Sequence, residues 1–339
     1  MLLSNLTTMR VGGPAREVVA PATEAALVAA ARDAWSTGEE WLVLGGGSNL
    51  VVSDAGFDGT VIRVVTTGIE VQEDAAGMRL RVQAGEPWDA LVARAVAEGW
   101  AGIEALSGIP GSTGAAPIQN IGAYGQELSS TLVSIDFLDY STEEVQRVPA
   151  AELGLGYRTS ALKRGRAGVV LAIELALAAA RDSLVSDAQL ATALGVPIGS
   201  RVPTAVIRSG VLALRASKGM VLDAGDPDSV SCGSFFTNPI VSELFAHRLP
   251  PEVPRWLQDD DASVKLSAAW LIERSGVSRG FALPGSQAAI SAKHTLAIVN
   301  RGGATASQVA ELARYVRARV SAKFGIELQP EPALVGMWL

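Results

Sequence analysis

The sequence predicts an α+β chain. Three observations carry this: apolar stripes at helical spacing near both ends, short alternating strands without regular strand–helix–strand rhythm, and glycine loops gathered in the first 125 residues. At 339 residues there is room for two or three domains, and a hydrophobic content of 48% is ample for their cores.

Thr23 opens an alanine-rich helix with Leu27, Ala30, Ala31, Ala34 and Trp35 on one side, and Gly38 ends it. Strands are expected at 41–44, 60–65 and 78–84. In the last, Leu80 and Val82 alternate with Arg79 and Arg81. Residues 88–98 read as a second helix stopped by Gly99, and strands follow at 132–140 and 169–177. Residues 181–210 stay ambiguous, because Ser, Asp, Gly and Pro breaks surround a short helical pattern. Thr305 and Gln308 make a capping box. Val309, Leu312, Ala313, Val316, Val320 and Phe324 then form a stripe that stops at Gly325.

Bulk properties exclude several classes. The longest apolar run, 167–180, is broken by Glu174 and is too short to span a bilayer. No cationic, apolar, then small-residue pattern precedes Asn5, so no export is expected. The lone Cys232 excludes an internal disulfide framework and points to a reducing cytoplasm. A net charge of −7 argues against a nucleic-acid surface. His247 and His294 are too few and too isolated for a metal site.

The most informative stretch runs from Gly108 to Gly125, with five glycines, two prolines and almost no charge. A loop kept only for solubility would carry Lys, Glu and Asp. This one can bring bare backbone close to a large guest, since glycine has no Cβ to hold a ligand away. Its N–H groups can form a concave anion site, and a dinucleotide pyrophosphate suits it. A second such loop, Gly45-Gly-Gly-Ser-Asn-Leu50, follows the short apolar strand at 41–44. It matches neither common phosphate motif. The sixth position is Leu50 rather than glycine, and neither loop holds a lysine. Either loop alone also reads as a tight turn between strands; two in one chain favour a ligand.

Val11-Gly-Gly-Pro14, Leu44 to Leu50, the long glycine loop, Tyr157-Arg158, Gly233-Ser-Phe-Phe-Thr-Asn-Pro239, Lys265 to Glu273 and Gln329-Pro-Glu331 occur in that order. The series resembles the UDP-N-acetylenolpyruvoylglucosamine reductase (UDP-N-acetylmuramate dehydrogenase) family, FAD enzymes of bacterial peptidoglycan synthesis. The resemblance runs from about Asn5 to the C-terminus and is to the form with a long insertion before the serine motif. The loops alone point only to the wider vanillyl-alcohol-oxidase-like (PCMH-type) superfamily.

The resemblance implies a two-domain FAD-binding cradle plus a third α+β substrate-binding domain. The expected divisions are 1–66, joined by the tail 329–339, then 67–219, then 220–328. It implies NADPH as reductant and UDP-N-acetylglucosamine-enolpyruvate as substrate, in a cytoplasmic monomer. FAD is expected to be noncovalent, because neither loop has the His or Cys that covalent attachment generally uses. The implied flavin contacts are Gly45, Gly46, Gly47, Ser48, Asn49 and Leu50, then Pro110, Gly111, Ser112, Gly114, Ala115, Gln119, Asn120, Gly122, Ala123 and Tyr124.

Hydride delivery to the enolpyruvyl methylene carbon leaves an aci-carboxylate, whose charge must be stabilised and whose ether carbon needs one proton. Arg158 suits the first task, as a permanent cation with a planar fork; without the resemblance it reads as a surface ion pair. Ser234 is the implied proton donor, and ordinary turn chemistry is its other reading. The adjacent phenylalanines are expected to keep water from the transfer. Glu331, stiffened between two prolines, is the implied third catalytic group, with a structural salt bridge as its alternative. Many family members carry a carboxylate where this chain has Gln329. Lys218 and Asn238 match diphosphate contacts, and His294 is a further substrate candidate. Asp187 stands where relatives place a tyrosine that closes over UDP, and an anion there suits no diphosphate role. Two other functions fit part of the pattern: another FAD oxidoreductase, such as a sugar or lactone oxidase, and a flavin-binding protein without catalysis.

Overall fold

The computed structural model describes residues 1–74, 77–258 and 262–339. The chain forms two units. One comprises Met1 with residues 15–47 and 58–217, the other residues 2–14, 48–57 and 218–339. Residues 2–14 and 48–57, expected in the first flavin-binding subdomain, thus pack with the C-terminal unit.

Two sheets of three or more strands lie in the first unit among the described residues. Strands Ala15–Val19, Phe57–Arg63 and Trp41–Leu44 lie in that order, the last two parallel with Trp41 opposite Thr60. Helix Glu24–Ser36 begins where the Thr23 hydroxyl accepts the Ala26 N–H, and it buries Leu27, Ala31, Ala34 and Trp35. The larger sheet is antiparallel. Its order is Val145–Pro149, Leu132–Asp139, Gly168–Ala179, Gly77–Gln83 and Ile69–Asp74, with Trp100–Ala101 pairing the far end of Gly168–Ala179. The three inner strands match the sequence reading. The two outer ones were not expected, because edge strands bury little: Val71 and Val145 are largely exposed. Helix Trp88–Glu98 ends at Gly99, whose φ of 79° is the left-handed cap glycine tolerates.

The ambiguous stretch resolves into strands Asp182–Leu184 and Arg201–Pro203, which pair with each other, and helices Ala188–Leu194 and Thr204–Ser217. Val185, Leu190, Val202, Ile207 and Val211 form its own small core. The breaks that obscured it are functional caps: Asp187 starts the first helix and Gly195 ends it.

The second unit contains a sheet ordered Ser231–Ser234, Ala297–Asn300, Ala288–Ile290, and another ordered Ile240–Ser242, Ser263–Leu266, Arg255–Leu257. Strand Ala333–Val335 runs parallel to Leu50–Val52 within this unit. Helix Ala306–Phe324 has the expected capping box and buries Val309, Leu312, Ala313, Val316 and Val320. Asp54 caps it again, accepting the N–H groups of Ala306 and Ser307 at 2.7 and 2.9 Å. That anchors residues 48–57 to the C-terminal unit.

Candidate active site

In the first unit a cavity of about 260 Å³ opens beside the glycine loops. Gly45, Ser112, Gly114 and Ala115 form one wall, and Trp41, Leu42, Val43, Val64, Ala84, Phe137 and Val170 form the apolar remainder. A pocket of this kind, mostly apolar with bare backbone at one side, suits a flat heteroaromatic ligand with a charged linker. Ser112 bridges Pro87 through the bonds Trp88 N–H to Gly111 O and Thr113 N–H to Glu86 O. In that pairing Ser112's own N–H points away from the bridge.

The glycines do more than admit a ligand. A Cβ on Gly46 would lie 2.6 Å from Gly111 Cα, and one on Gly114 would overlap Ala84. The two loops therefore touch backbone to backbone, and the N–H of Gly114 is spent on Ala84 O at 2.8 Å. At Gly46 and Gly114 the missing Cβ also leaves room for neighbouring protein.

Several expected flavin contacts have other employment. Asn120 is buried and braces the loop, its Nδ2 donating to Glu127 and Gly156 O and its Oδ1 accepting from Ser129 N–H. Gln119 accepts from Lys163. Gly122 and Ala123 pair with Glu127 and Gln126. Tyr124 packs on the small core of the 182–217 insertion, and burial raises its pKa, with Asp187 adding to the rise and Arg215 opposing it. Ser48, Asn49 and Leu50 belong to the second unit, where Asn49 O accepts the Ala333 N–H. Neither Gly47 nor Pro110 lines the cavity described above.

Arg158 sits at φ 52°, a left-handed conformation rare for a side chain of this size. Its Nη2 donates to Gly122 O at 2.9 Å, and its guanidinium lies 5.6 Å from the Tyr157 ring centre. Arg215, which the sequence reading did not single out, is a second cation nearby. Burial lowers its pKa, Tyr124 and Asp89 oppose that, and Arg158 adds to it. Asp89 pairs with Arg208 in a fork of 2.6 and 2.9 Å and takes the Gly108 N–H at 2.6 Å. The insertion is thus fastened to the start of the glycine loop. No sequence signal marks that pair, which joins residues 119 positions apart.

In the second unit Ser234 ends its strand opposite Ala297. It is half-buried, and its hydroxyl bonds no group among the described residues. Phe235 and Phe236 are fully buried core residues in edge contact at 5.2 Å. Both pack into the core of the second unit, directly after Ser234 in the chain. Glu331 donates its N–H to Phe235 O at 2.9 Å, and Asn49 Nδ2 donates to its carbonyl at 3.3 Å. Its negative charge is also felt at Cys232. Burial first, then Glu331, pushes that thiol up to about 12, so it stays protonated and unreactive.

His294 lies in the turn before Ala297, bonded through its N–H to Ser291 Oγ. Burial, then Lys218 and Arg279, holds it down at about 4 against the pull of Glu273; it is neutral at pH 7. The charge of Lys218 is thus felt at His294. Asn238 gives its Oδ1 to the Ala268 N–H at 3.0 Å, capping helix Ala268–Arg274. Asp187 accepts the Leu190 N–H at 2.8 Å as an N-cap; in place of a closing tyrosine this chain has a helix start. Among the described residues no His, Cys, Asp and Glu group could hold a metal, and no helix is long and apolar enough to cross a membrane.

Comparison with known proteins agrees along the whole chain. Residues 226–335 match the C-terminal domain of UDP-N-acetylenolpyruvoylglucosamine reductase, and residues 15–148 match the FAD binding domain. The UDP-N-acetylenolpyruvoylglucosamine reductase of Leifsonia xyli is 60% identical, with 99% of this chain and 98% of that one aligned. That of Salinispora arenicola is 49% identical over 98% and 94%. A crystal structure of the reductase from Thermus caldophilus aligns with a TM-score of 0.66 at 28% identity, covering 99% and 97%.

Proposed function

The chain belongs to the UDP-N-acetylenolpyruvoylglucosamine reductase family, and from that premise we propose how its own residues carry the reaction. It is an FAD-dependent oxidoreductase of peptidoglycan synthesis. It reduces UDP-N-acetylglucosamine-enolpyruvate to UDP-N-acetylmuramate. The observation that carries the reading is the retention of an apolar cavity walled by both glycine loops, together with Ser234 and Glu331 held on one strand end.

The residues present fit FAD: a mostly apolar cavity, glycine backbone in its lining, and no thiol or imidazole at the loops for a covalent link. Gly45, Ser112, Gly114 and Ala115 would hold it. The chemistry FAD supplies when bound is hydride transfer, from NADPH to the enolpyruvyl methylene carbon.

Arg158 stabilises the negative charge that collects on the substrate carboxylate. Its strained backbone and its bond to Gly122 O aim a permanent cation without reorganisation. Ser234 Oγ gives its proton to the ether carbon; a hydroxyl is acid enough only for so basic a carbon, and this one spends nothing on the described protein. Glu331, pinned through its backbone, orients the substrate carboxylate or the serine. Lys218 and neutral His294 hold the diphosphate end, with Asn238 limited to whatever its Nδ2 reaches. The division of unit 1 at residue 66 into two flavin-binding subdomains is supported by its two larger sheets, one built from strands 15–19, 41–44 and 57–63, the other from strands that all follow residue 68. A cytoplasmic monomer completes the reading.

The test is NADPH oxidation by the purified protein, which should require UDP-N-acetylglucosamine-enolpyruvate. Fast flavin reoxidation by oxygen after reduction by a sugar or lactone would instead identify an oxidase. No nicotinamide turnover with any acceptor would leave a binding protein.

A further inference from the structure

One charged side chain stands at the apolar part of the unit 1 cavity. Arg166 lines it with Trp41, Phe137, Leu162, Gly168 and Val170. Its guanidinium carbon lies 5.1 Å from the Phe137 ring centre. Gly168 abuts the same ring, since a Cβ there would fall 2.5 Å from Phe137 Cζ.

The guanidinium is fixed by protein on two of its nitrogens. Nε and Nη2 both reach Asp139 Oδ2 at 3.0 Å, and Nη2 reaches Gln146 Oε1 at 3.3 Å. Asp139 is itself held by the Ser141 N–H at 2.9 Å and the Ser141 hydroxyl at 2.6 Å. The third nitrogen, Nη1, bonds nothing among the described residues.

We propose that Arg166 is a specificity-determining residue for the cofactor, its Nη1 donating to the adenosine moiety of the dinucleotide in this cavity. The inference rests on the FAD reading above. A free cation would favour phosphate, but Asp139 neutralises this one. What remains is a donor in a set orientation beside aromatic and aliphatic walls, which matches a neutral, planar, acceptor-rich heterocycle and its ribose. Because the fork is already ordered, binding loses little side-chain entropy.

The experiment uses flavin-stripped full-length protein, titrated with FAD by fluorescence and with ADP as competitor. Arg166→Ala should raise both the FAD Kd and the ADP inhibition constant by about ten- to a hundredfold, the worth of one hydrogen bond to a charged group. Weaker FAD binding with unchanged ADP binding would place the defect elsewhere and overturn the proposal, as would two unchanged constants. Should Arg166→Ala not fold by circular dichroism, Arg166→Lys carries the test. A lysine ammonium drawn to Asp139 lacks the second arm of the guanidinium fork that would reach the ligand, so the same joint rise is expected, and unchanged constants overturn the proposal. If FAD binds wild-type protein but ADP does not compete, this inference fails while the FAD reading stands. Wild-type protein that binds no FAD would remove the reading beneath it.

Discussion

The N–H of Glu331 donates to the carbonyl of Phe235 at 2.9 Å, joining the C-terminal Pro-Glu-Pro turn to the residue that follows Ser234. Two further contacts extend the seam, a bridge between Phe236 and Pro330 and a bond from Thr237 N–H to Gln329 O. Two proposed catalytic residues 97 positions apart are therefore tied together by backbone bonds.

That arrangement separates the two half-reactions. Ser234→Ala should leave NADPH-driven bleaching of the flavin band near normal, since no serine proton is needed there. Recovery of the band with the enolpyruvyl substrate should slow by about a hundred- to ten-thousand-fold, the usual worth of a general acid. Stopped-flow absorbance resolves both phases. Equal slowing of the two would make Ser234 a structural residue.

Gly46→Ala tests the contact between the glycine loops. The new Cβ meets Gly111 Cα, a backbone atom that cannot rotate away. Stability should fall by about 1–3 kcal/mol, the range for overpacking, and FAD should bind more weakly. A variant that melts and binds flavin like wild type would show that the loops separate freely.

Asp187→Ala should cost about 1 kcal/mol, through loss of the cap on helix Ala188–Leu194. Asp187→Asn should recover most of it, because an amide oxygen accepts the same N–H. Steady-state kcat/KM should be unchanged in both. A large activity loss in a well-folded Asp187→Asn would give the carboxylate a direct role.

His294 gives stability a pH dependence. Its folded-state pKa of about 4 lies below its ordinary 6.5, so the unfolded chain binds the proton more readily. Stability from this residue is present above about pH 6.5 and is lost as pH falls toward 4. Between pH 7 and pH 5 the loss should be about 2 kcal/mol. His294→Asn should flatten that part of the curve in denaturant titrations at each pH. An unaltered slope would mean that the imidazole is protonated in the fold.

The helices at 24–36, 88–98 and 306–324 were legible because each combines a local stripe with a local stop signal, as Thr305, Gln308 and Gly325 do in the last. The edge strands Ile69–Asp74 and Val145–Pro149 were not, since two aliphatic side chains in each, Ile69 and Val71 or Val145 and Val148, are too few to set a period. At the site, the glycine loops announced a dinucleotide through composition. Which of their residues face the cavity was beyond composition: Ser112 lines it, while Asn120, equally polar, turns inward to Glu127 and Ser129.

What the sequence determined by itself is what short-range chemistry and motif order encode: caps, stripes, uncharged glycine loops, and the ordered signatures at Tyr157-Arg158, Gly233 to Pro239 and Gln329 to Glu331. Tertiary structure decided everything that depends on partners distant in the chain. It turned Asp187 from an open question into a helix cap, spent the amide oxygen of Asn238 on Ala268, and set Arg166 against Asp139 and Phe137. It also moved residues 48–57 to the C-terminal unit, through Asp54 on helix Ala306–Phe324 and the pairing of Leu50–Val52 with Ala333–Val335. The reason is physical. A hydrogen bond or a close backbone approach is worth its free energy only at contact distance, and for residues hundreds of positions apart only the folded chain sets that distance.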